Sequence, residues 1–208
     1  MQKNFTIEWR EITKQTYDTI KPTFELLQPI FGAALLPVIR EDTYATNPQL
    51  HEKEVNAKVT ATLRSVWNSK LQKLQNDLQS DRIPVAYLAV AKDTQEEALG
   101  FALFEEEPMK DNLKSRMLDD GQLESIEEFF SNDGVSDEIY VSALMVRPAN
   151  QKGQGIGRAC VFSVLAHCLR IKKIYLTTSA GCSNKGTQTF YEHVGFKNLF
   201  TGEFSELD

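Results

Sequence analysis

The first part of the chain switches from strand-like to helix-like spacing of its apolar residues. Residues 5–10 alternate between apolar and polar and predict a short strand. The apolar positions that follow recur at helical steps: Ile20, Phe24 and Leu27. Because proline lacks a backbone N–H, Pro22 and Pro29 are expected to bound the regular part of this first helix.

A second, longer helix is predicted to start at Asn47-Pro48, where a capping residue precedes a proline suited to the first turn. One apolar stripe then follows at three- and four-residue steps: Val55, Val59, Leu63, Val66, Trp67, Leu71, Leu74 and Leu78. An unbroken helix over 48–80 would be about 50 Å long, so we expect a break or a protruding end. The stripe is expected to pack in the core, and a contact between two copies of the chain in a homodimer is the alternative.

The rest of the pattern predicts strands and helices in alternation. Two strand-like runs, 84–91 and 98–106, flank a polar turn and predict an antiparallel hairpin. After a polar stretch come a strand at 138–146, a helix at 155–170, a strand at 173–179, a helix at 184–194 and a strand at 196–204. Antiparallel strands first and a crossover unit last predict a mixed-sheet α/β fold rather than a fully parallel, doubly wound sheet. With 208 residues and 41% hydrophobic content, the chain is expected to form one domain over 1–208.

Three glycines join the strand at 138–146 to the helix after it, within Lys152-Gly153-Gln154-Gly155-Ile156-Gly157. Glycines let a backbone approach a ligand closely, and the first-turn N–H groups with the positive end of the helix dipole favour an anion, so we expect a ligand with phosphates. A P-loop would need GxxxxGK, which is absent. A dinucleotide loop would need GxGxxG, but Arg158 occupies the place of the third glycine.

The glycine loop resembles the acyl-CoA pyrophosphate loop of the GNAT superfamily of N-acyltransferases, Q/R-x-x-G-x-G/A. Residues 184–196 resemble that family's second signature, N-x-x-A-x-x-x-Y-x-x-x-G-F. Lys152 replaces the usual Gln or Arg, and Thr187 the usual Ala. The resemblance covers about residues 84–200. It implies a GNAT-like fold, with a central, mostly antiparallel sheet and a β-α-β-α-β C-terminal half flanked by helices.

The resemblance also implies acetyl-CoA as cosubstrate and a set of residues that bind it. Backbone N–H groups of the strand that ends at Val146 would hold the pantetheine arm, provided that the strand splays there. The glycine loop and the second signature complete the set: Leu144, Met145, Val146, Lys152, Gly153, Gln154, Gly155, Ile156, Gly157, Arg158, Asn184 and Tyr191.

Two residues are candidates for the proton transfers of acyl transfer to an amine. Tyr191 lies seven residues after Asn184, on the same helix face, and the resemblance assigns it protonation of the leaving thiolate. A packed aromatic is the alternative. Glu138 begins the strand beside the expected cofactor, and some family members carry a glutamate there that acts as base through water. Asp137 is the second choice, and a solvated carboxylate is the alternative.

The predicted function is an acetyl-CoA-dependent N-acetyltransferase in which an amine attacks the thioester directly. The alternatives are a non-catalytic acyl-CoA-binding or sensor domain and a nucleotide-dependent oxidoreductase. The amine acceptor stays open: a polyamine, an amino acid, an antibiotic amine or a protein amine. An acidic insert at about 105–137 is either a solvated loop, with a short helix near 123–130, or a surface that attracts a cationic acceptor.

Composition removes several other classes. A net charge of −6 and an isoelectric point near 5.2 argue against nucleic acid as the main partner. No apolar run is expected to reach the length of a membrane span and no secretory signal is visible, so a cytoplasmic location is expected. No metal site is expected, because the histidines and cysteines lack ligand spacing: His51, His167, His193, Cys160, Cys168 and Cys182.

Overall fold

The computed structural model describes six stretches of the chain: residues 4–80, 86–115, 138–150, 153–167, 173–176 and 185–197. The chain divides into two compact units, each built from two segments. The first unit comprises Met1–Phe104 and Ala143–His167, and the second comprises Glu105–Ser142 and Cys168–Asp208.

Eleven described elements follow one another along the chain, and one of them is a single 3-10 turn. The strands are β1 (Phe5–Ile12), β2 (Ala86–Asp93), β3 (Ala98–Glu106), β4 (Glu138–Val146) and β5 (Lys173–Tyr175). The helices are α1 (Tyr17–Thr46), α2 (Glu52–Gln79), α3 (Met109–Ser115), the turn Pro148–Asn150, α4 (Ile156–His167) and α5 (Lys185–Val194). The predicted helix at 123–130, the end of the strand at 173–179 and nearly all of the strand at 196–204 lie outside the described residues.

The five strands form one sheet in the order β1-β2-β3-β4-β5. β1 and β2 pair antiparallel, from Phe5 opposite Asp93 to Ile12 opposite Ala86. β4 and β5 pair parallel, with Glu138 opposite Lys173. The sheet is therefore mixed and mostly antiparallel, which confirms the predicted fold class.

The predicted hairpin is present as β2 and β3. Its turn is held by Asp93, whose Oδ1 accepts hydrogen bonds from the N–H groups of Gln95 and Glu97, both over 2.9 Å. An aspartate that bonds the backbone two residues on is a common turn device. Both strands are buried almost throughout, so neither shows the alternation of a half-exposed strand.

α1 contradicts the expectation that its prolines bound a short helix. It runs through Pro22, Pro29 and Pro37 for 30 residues. All three prolines are exposed. The opposite face packs into the core of the first unit through Ile20, Phe24, Leu27, Ile30 and Phe31. Burying these side chains offsets the roughly 3 kcal/mol that each interior proline costs.

The same helix is apolar enough, by length and composition alone, to cross a membrane. Its most apolar 18-residue window has a mean hydropathy of 1.4, and 22% of that window is buried. Charged and polar residues interrupt the helix, among them Glu25 and Gln28, so this does not contradict the expectation that no uninterrupted apolar run reaches such a length. The core helix of a soluble protein passes the same test, and α1 supplies core residues.

α2 begins later than predicted. Asn47 ends α1, where its N–H donates to the Thr43 carbonyl over 3.1 Å. α2 starts at Glu52, and the preceding residue His51 donates its N–H to Glu54 Oε2 over 2.9 Å. The helix starts here because the Glu54 carboxylate, in the first turn, accepts a hydrogen bond from the backbone N–H of the residue before the helix. α2 then runs unbroken for 28 residues, so a break, which was one of the two expected outcomes, is absent from it.

The apolar stripe of α2 packs in the core of the first unit, as predicted. Trp67 is its centre, with ring centroids 4.8 Å from Phe31, 5.9 Å from Phe101 and 6.2 Å from Phe24. Val66 is the exception, because 40% of it is exposed. The aromatic cluster joins α1, α2 and β3, and it fixes both long helices on the sheet.

Candidate active site

The first unit holds the end of β4, where Leu144, Met145 and Val146 are half-buried. The next residue ties this end to the neighbouring strand. The N–H of Arg147 donates to the Leu99 carbonyl over 2.9 Å, and its guanidinium bonds Glu97 Oε1 over 2.6 Å. A 3-10 turn follows, in which the Asn150 N–H donates to the Arg147 carbonyl over 2.8 Å. β4 therefore ends at a fixed point.

The glycine loop leads from this turn into α4. Gly153 and Gly155 have φ angles of +74° and +72°, in the left-handed region where a side chain is strained. The first helical bond runs from the Ala159 N–H to the Gly155 carbonyl over 2.9 Å. The N–H groups of 156–158 belong to the first turn and have no acceptor within the helix. A backbone of this kind can cradle an anion.

Two side chains of the predicted set lie beside the cradle. Gln154 accepts a hydrogen bond from the amide of the buried Asn150 over 3.4 Å. Arg158 is exposed, and its guanidinium carbon lies 5.4 Å from the ring centroid of Phe162, one turn further along α4. Ile156 and Gly157 are buried. Lys152 lies outside the described residues.

The second unit holds Tyr191, whose ring packs against two other aromatic rings. Its centroid is 5.1 Å from that of Phe190 and 5.4 Å from that of Phe196. Burial, the larger cause, and the nearby Tyr140 together raise the pKa of Tyr191 to about 12. The phenol therefore keeps its proton at neutral pH and can donate it. Asn184, which precedes α5, lies outside the described residues.

Glu138, at the start of β4, is 3% exposed and held by two partners. Its Oε2 accepts a hydrogen bond from the Met109 N–H at the start of α3 over 2.7 Å. Its Oε1 lies 3.5 Å from Lys173 Nζ on β5. Sequence spacing gave no signal for these partners, because Met109 is 29 and Lys173 is 35 residues away. Both oxygens of the predicted base are thus engaged.

Tyr140 is a further residue of this region that the sequence did not single out. It follows Glu138 by two positions, so both share one face of β4. Its ring centroid lies 5.3 Å from that of Tyr175 on β5, whose hydroxyl donates to the Glu107 carbonyl over 2.9 Å. Tyr140 also acts on the pKa of Tyr191. Within the second unit, Tyr140 therefore lies on the same face of β4 as Glu138 and close enough to Tyr191 to affect its pKa.

The remaining titratable candidates have structural surroundings. His167 Nδ1 bonds the Ser163 carbonyl over 2.8 Å, and its ring stacks on Trp9 at 4.7 Å. His193 Nδ1 bonds the Thr189 carbonyl over 2.6 Å. Among the described residues, no group of three or more His, Cys, Asp or Glu side chains is placed to hold a metal ion.

The one cysteine among the described residues also has structural surroundings. Cys160 is a buried free thiol. Burial raises its pKa to about 12, so it is not a thiolate at neutral pH. Cys168 and Cys182 lie outside the described residues.

A mixed, mostly antiparallel sheet with a glycine loop that opens a helix is the arrangement expected of an acyltransferase that takes its acyl group from a phosphate-bearing thioester. The chain belongs to the acetyltransferase (GNAT) family, whose family model matches residues 52–196. The protein is accordingly an acetyltransferase, as the sequence motifs predicted.

Solved structures with the same fold include a transcriptional regulator from Bacillus halodurans C-125. It is 16% identical, has a TM-score of 0.50, and the match covers 97% of this chain and 100% of that one. The aminoglycoside N-acetyltransferase AAC(6')-Iy, solved in complex with CoA, is 12% identical with a TM-score of 0.47, covering 97% and 99%. The ribosomal-protein-alanine N-acetyltransferase from Brucella melitensis biovar Abortus 2308 is 12% identical with a TM-score of 0.45, covering 98% and 100%.

No curated protein sequence matches the chain.

Proposed function

We propose that the protein transfers an acetyl group from acetyl-CoA to a primary amine by direct attack of the amine on the thioester. The observation that carries the proposal is the glycine loop: two left-handed glycines turn the chain from the end of β4 into the N-terminus of α4. The family match supports the same cosubstrate class.

The loop would bind the pyrophosphate of acetyl-CoA. The first-turn N–H groups of Ile156, Gly157 and Arg158 supply donors without intrahelical acceptors, and the helix dipole adds partial positive charge. Gly153 and Gly155 let the backbone take its left-handed course without a strained side chain. Gln154 and Lys152 would flank the phosphates, and Asn184 would bind further along the cosubstrate.

The end of β4 would bind the pantetheine arm. Backbone groups of Leu144, Met145 and Val146 lie on an extended strand, and an amide-containing arm can continue such a strand's hydrogen bonding. A backbone N–H at this point would also polarise the thioester carbonyl and stabilise the oxyanion.

Tyr191 would protonate the leaving group. The amine nitrogen attacks the thioester carbonyl carbon, the tetrahedral oxyanion collapses, the C–S bond breaks, and the phenol proton passes to the CoA sulfur. The proton that the attacking nitrogen loses returns to the phenolate through water, so the tyrosine ends as it began. At neutral pH the phenol is in the protonated form that this step needs, and its raised pKa makes it a weaker acid than an ordinary tyrosine.

Glu138 remains the proposed base, acting through water on the ammonium form of the acceptor. Its contacts with Met109 and Lys173 compete with this role, because a water between Glu138 and the acceptor would have to share the carboxylate oxygens with them. A positioning role, in which Glu138 fixes α3 and β5 against β4, competes with it.

The acceptor is proposed to be a cationic amine. Twelve Asp or Glu residues against three Lys or Arg residues in 105–138 would attract a positive charge. The competing function is a non-catalytic acyl-CoA-binding domain, which would keep the loop and have no use for a protonated tyrosine.

Release of free CoA thiol from acetyl-CoA, followed over a panel of polyamines, amino acids, aminoglycosides and peptide amines, tests the proposal. We expect amine-dependent release with at least one class, and a loss of roughly 10²-fold or more in kcat for Tyr191→Phe. Tyr44→Phe, on the outer face of α1, is the matched control. If the protein binds acetyl-CoA, releases no thiol with any amine, and Tyr191→Phe binds equally well, the non-catalytic function replaces the proposed one.

A further inference from the structure

Gly100, the third residue of β3, lies where two other elements of the first unit approach the strand closely. A Cβ atom at this position would lie 2.8 Å from the Met145 carbonyl oxygen, 3.2 Å from the Val146 Cα and 3.2 Å from the Ile156 Cγ2. The closest of these neighbours is backbone, which cannot swing aside as the end of a flexible side chain can. The position therefore has no room for any side chain.

The three neighbouring atoms belong to the two parts of the proposed acetyl-CoA site. Met145 and Val146 end β4, and Ile156 begins α4 directly after the glycine loop. Hydrogen bonds also fix the end of β4, because the next residue, Arg147, bonds the Leu99 carbonyl and the Glu97 carboxylate. The end of β4 is thus hydrogen-bonded to β3 at Leu99, next to Gly100, which has no side chain.

We propose that Gly100 is a positioning residue for acyl-CoA. Its missing side chain sets the distance between the strand end that holds the pantetheine arm and the helix start that holds the pyrophosphate. Gly100 itself is buried and acts only through Met145, Val146 and Ile156. This inference rests on the proposed function.

A single methyl group tests the inference. In Gly100→Ala, the 2.8 Å contact with a backbone oxygen must lengthen, so the end of β4 or the start of α4 moves. A misplacement of about 1 Å can lower a reaction rate about 10²-fold, and we expect a shift of part of that distance to weaken acetyl-CoA binding roughly 10-fold. The dissociation constant, measured by calorimetry well below the unfolding temperature, is the readout.

Gly32→Ala is the matched control. Gly32 lies in α1, and a Cβ there meets no atom within 4 Å. The same chemical change should leave the dissociation constant of acetyl-CoA unaltered. A purely structural role of Gly100 would lower the unfolding temperature and leave that constant unaltered too, so the two roles give different results.

A second pair of variants keeps the test decisive if Gly100→Ala does not fold. Ile156→Ala is compared with Gly100→Ala/Ile156→Ala, in which the side-chain contact is gone and only the backbone contact remains. Weaker binding by the double variant supports the inference. Equal dissociation constants in either folded pair overturn it and leave the proposed function intact, whereas a wild-type protein that does not bind acetyl-CoA overturns both.

Discussion

Phe196 folds back onto Tyr191 at the end of α5. The N–H of Phe196 donates to the Tyr191 carbonyl over 3.0 Å, and the two ring centroids lie 5.4 Å apart at an interplanar angle of 78°. The intervening Gly195 ends the helix. The spacing Y-x-x-x-G-F is therefore the spacing that brings a second ring onto the tyrosine, and it restricts where the phenol can point.

The pKa of Tyr191 predicts a pH dependence of stability. The value is about 12 in the folded protein against 10.0 for an unperturbed tyrosine, so the folded state keeps a proton that the unfolded state loses in between. Stability contributed by this group is present below pH 10 and declines as pH rises toward 12. Urea unfolding at pH 8 and pH 11 should show wild type losing about 1 kcal/mol more than Tyr191→Phe. Equal losses would show that the phenol titrates normally.

Gly155→Ala should weaken acetyl-CoA binding. At a φ of +72° an alanine costs about 1 kcal/mol, so the loop relaxes and its donors leave the positions that face the phosphates. We expect a dissociation constant roughly 10-fold higher, by analogy with the loss of one or two charge-assisted hydrogen bonds. Titration calorimetry checks this, with adenosine 3′,5′-bisphosphate as a ligand that lacks the pyrophosphate and should be less affected. An unchanged constant for acetyl-CoA would remove the loop from the binding site.

The pair of Glu138 and Lys173 should behave as a coupled unit. Lys173→Met leaves a buried carboxylate without its cation and is expected to cost about 1–3 kcal/mol, less than for a fully buried pair because Lys173 is 38% exposed. Glu138→Gln retains an oxygen that can accept from Met109. The double variant should therefore be more stable than Lys173→Met alone.

Chemical denaturation of the four proteins in this cycle gives the coupling energy. The acid limb of the kcat profile, measured for Glu138→Gln, separates the two functions of the residue: a base loses that limb, and a positioning residue keeps it. Additive stability changes would mean that the 3.5 Å contact contributes nothing.

Trp67 and its neighbour Val66 should differ sharply in their contribution to stability. Trp67 is 2% exposed and packs against Phe24, Phe31 and Phe101, so Trp67→Ala should cost about 3–5 kcal/mol. Val66 is 40% exposed, and Val66→Ala should change stability by about 0.5 kcal/mol or less. Similar costs for both would place Val66 in a contact with a second copy of the chain, which was the alternative for this stripe.

Much of the fold could be predicted from local patterns. β3 and β4 have the predicted bounds, because each is a run of apolar residues between turn signals. α1 could not be bounded correctly, because the cost of its prolines is outweighed by burial against α2 and the sheet, which is tertiary information. The start of α2 was misplaced for a related reason: Asn47-Pro48 has the composition of a helix start, whereas the contact between His51 and Glu54 sets it.

The candidate site was predictable where its chemistry follows from chain order. Gly153 and Gly155 precede a helix, and Tyr191 occurs in a spaced signature, so both could be found without coordinates. The partners of Glu138 and the close approach at Gly100 arise from residues distant in sequence. Strand pairing creates those contacts, and a single sequence carries no direct record of it.

Thermal unfolding with and without acetyl-CoA tests the central claim most directly, with NAD and ATP as controls. At a hundred times its dissociation constant, a ligand adds about 2.7 kcal/mol, which for a chain of this size raises the midpoint by roughly 5–10 °C. We expect that shift with acetyl-CoA, a smaller one for Gly155→Ala, and none with NAD. A shift with NAD, or none with acetyl-CoA, would contradict the assignment of the glycine loop and with it the proposed reaction.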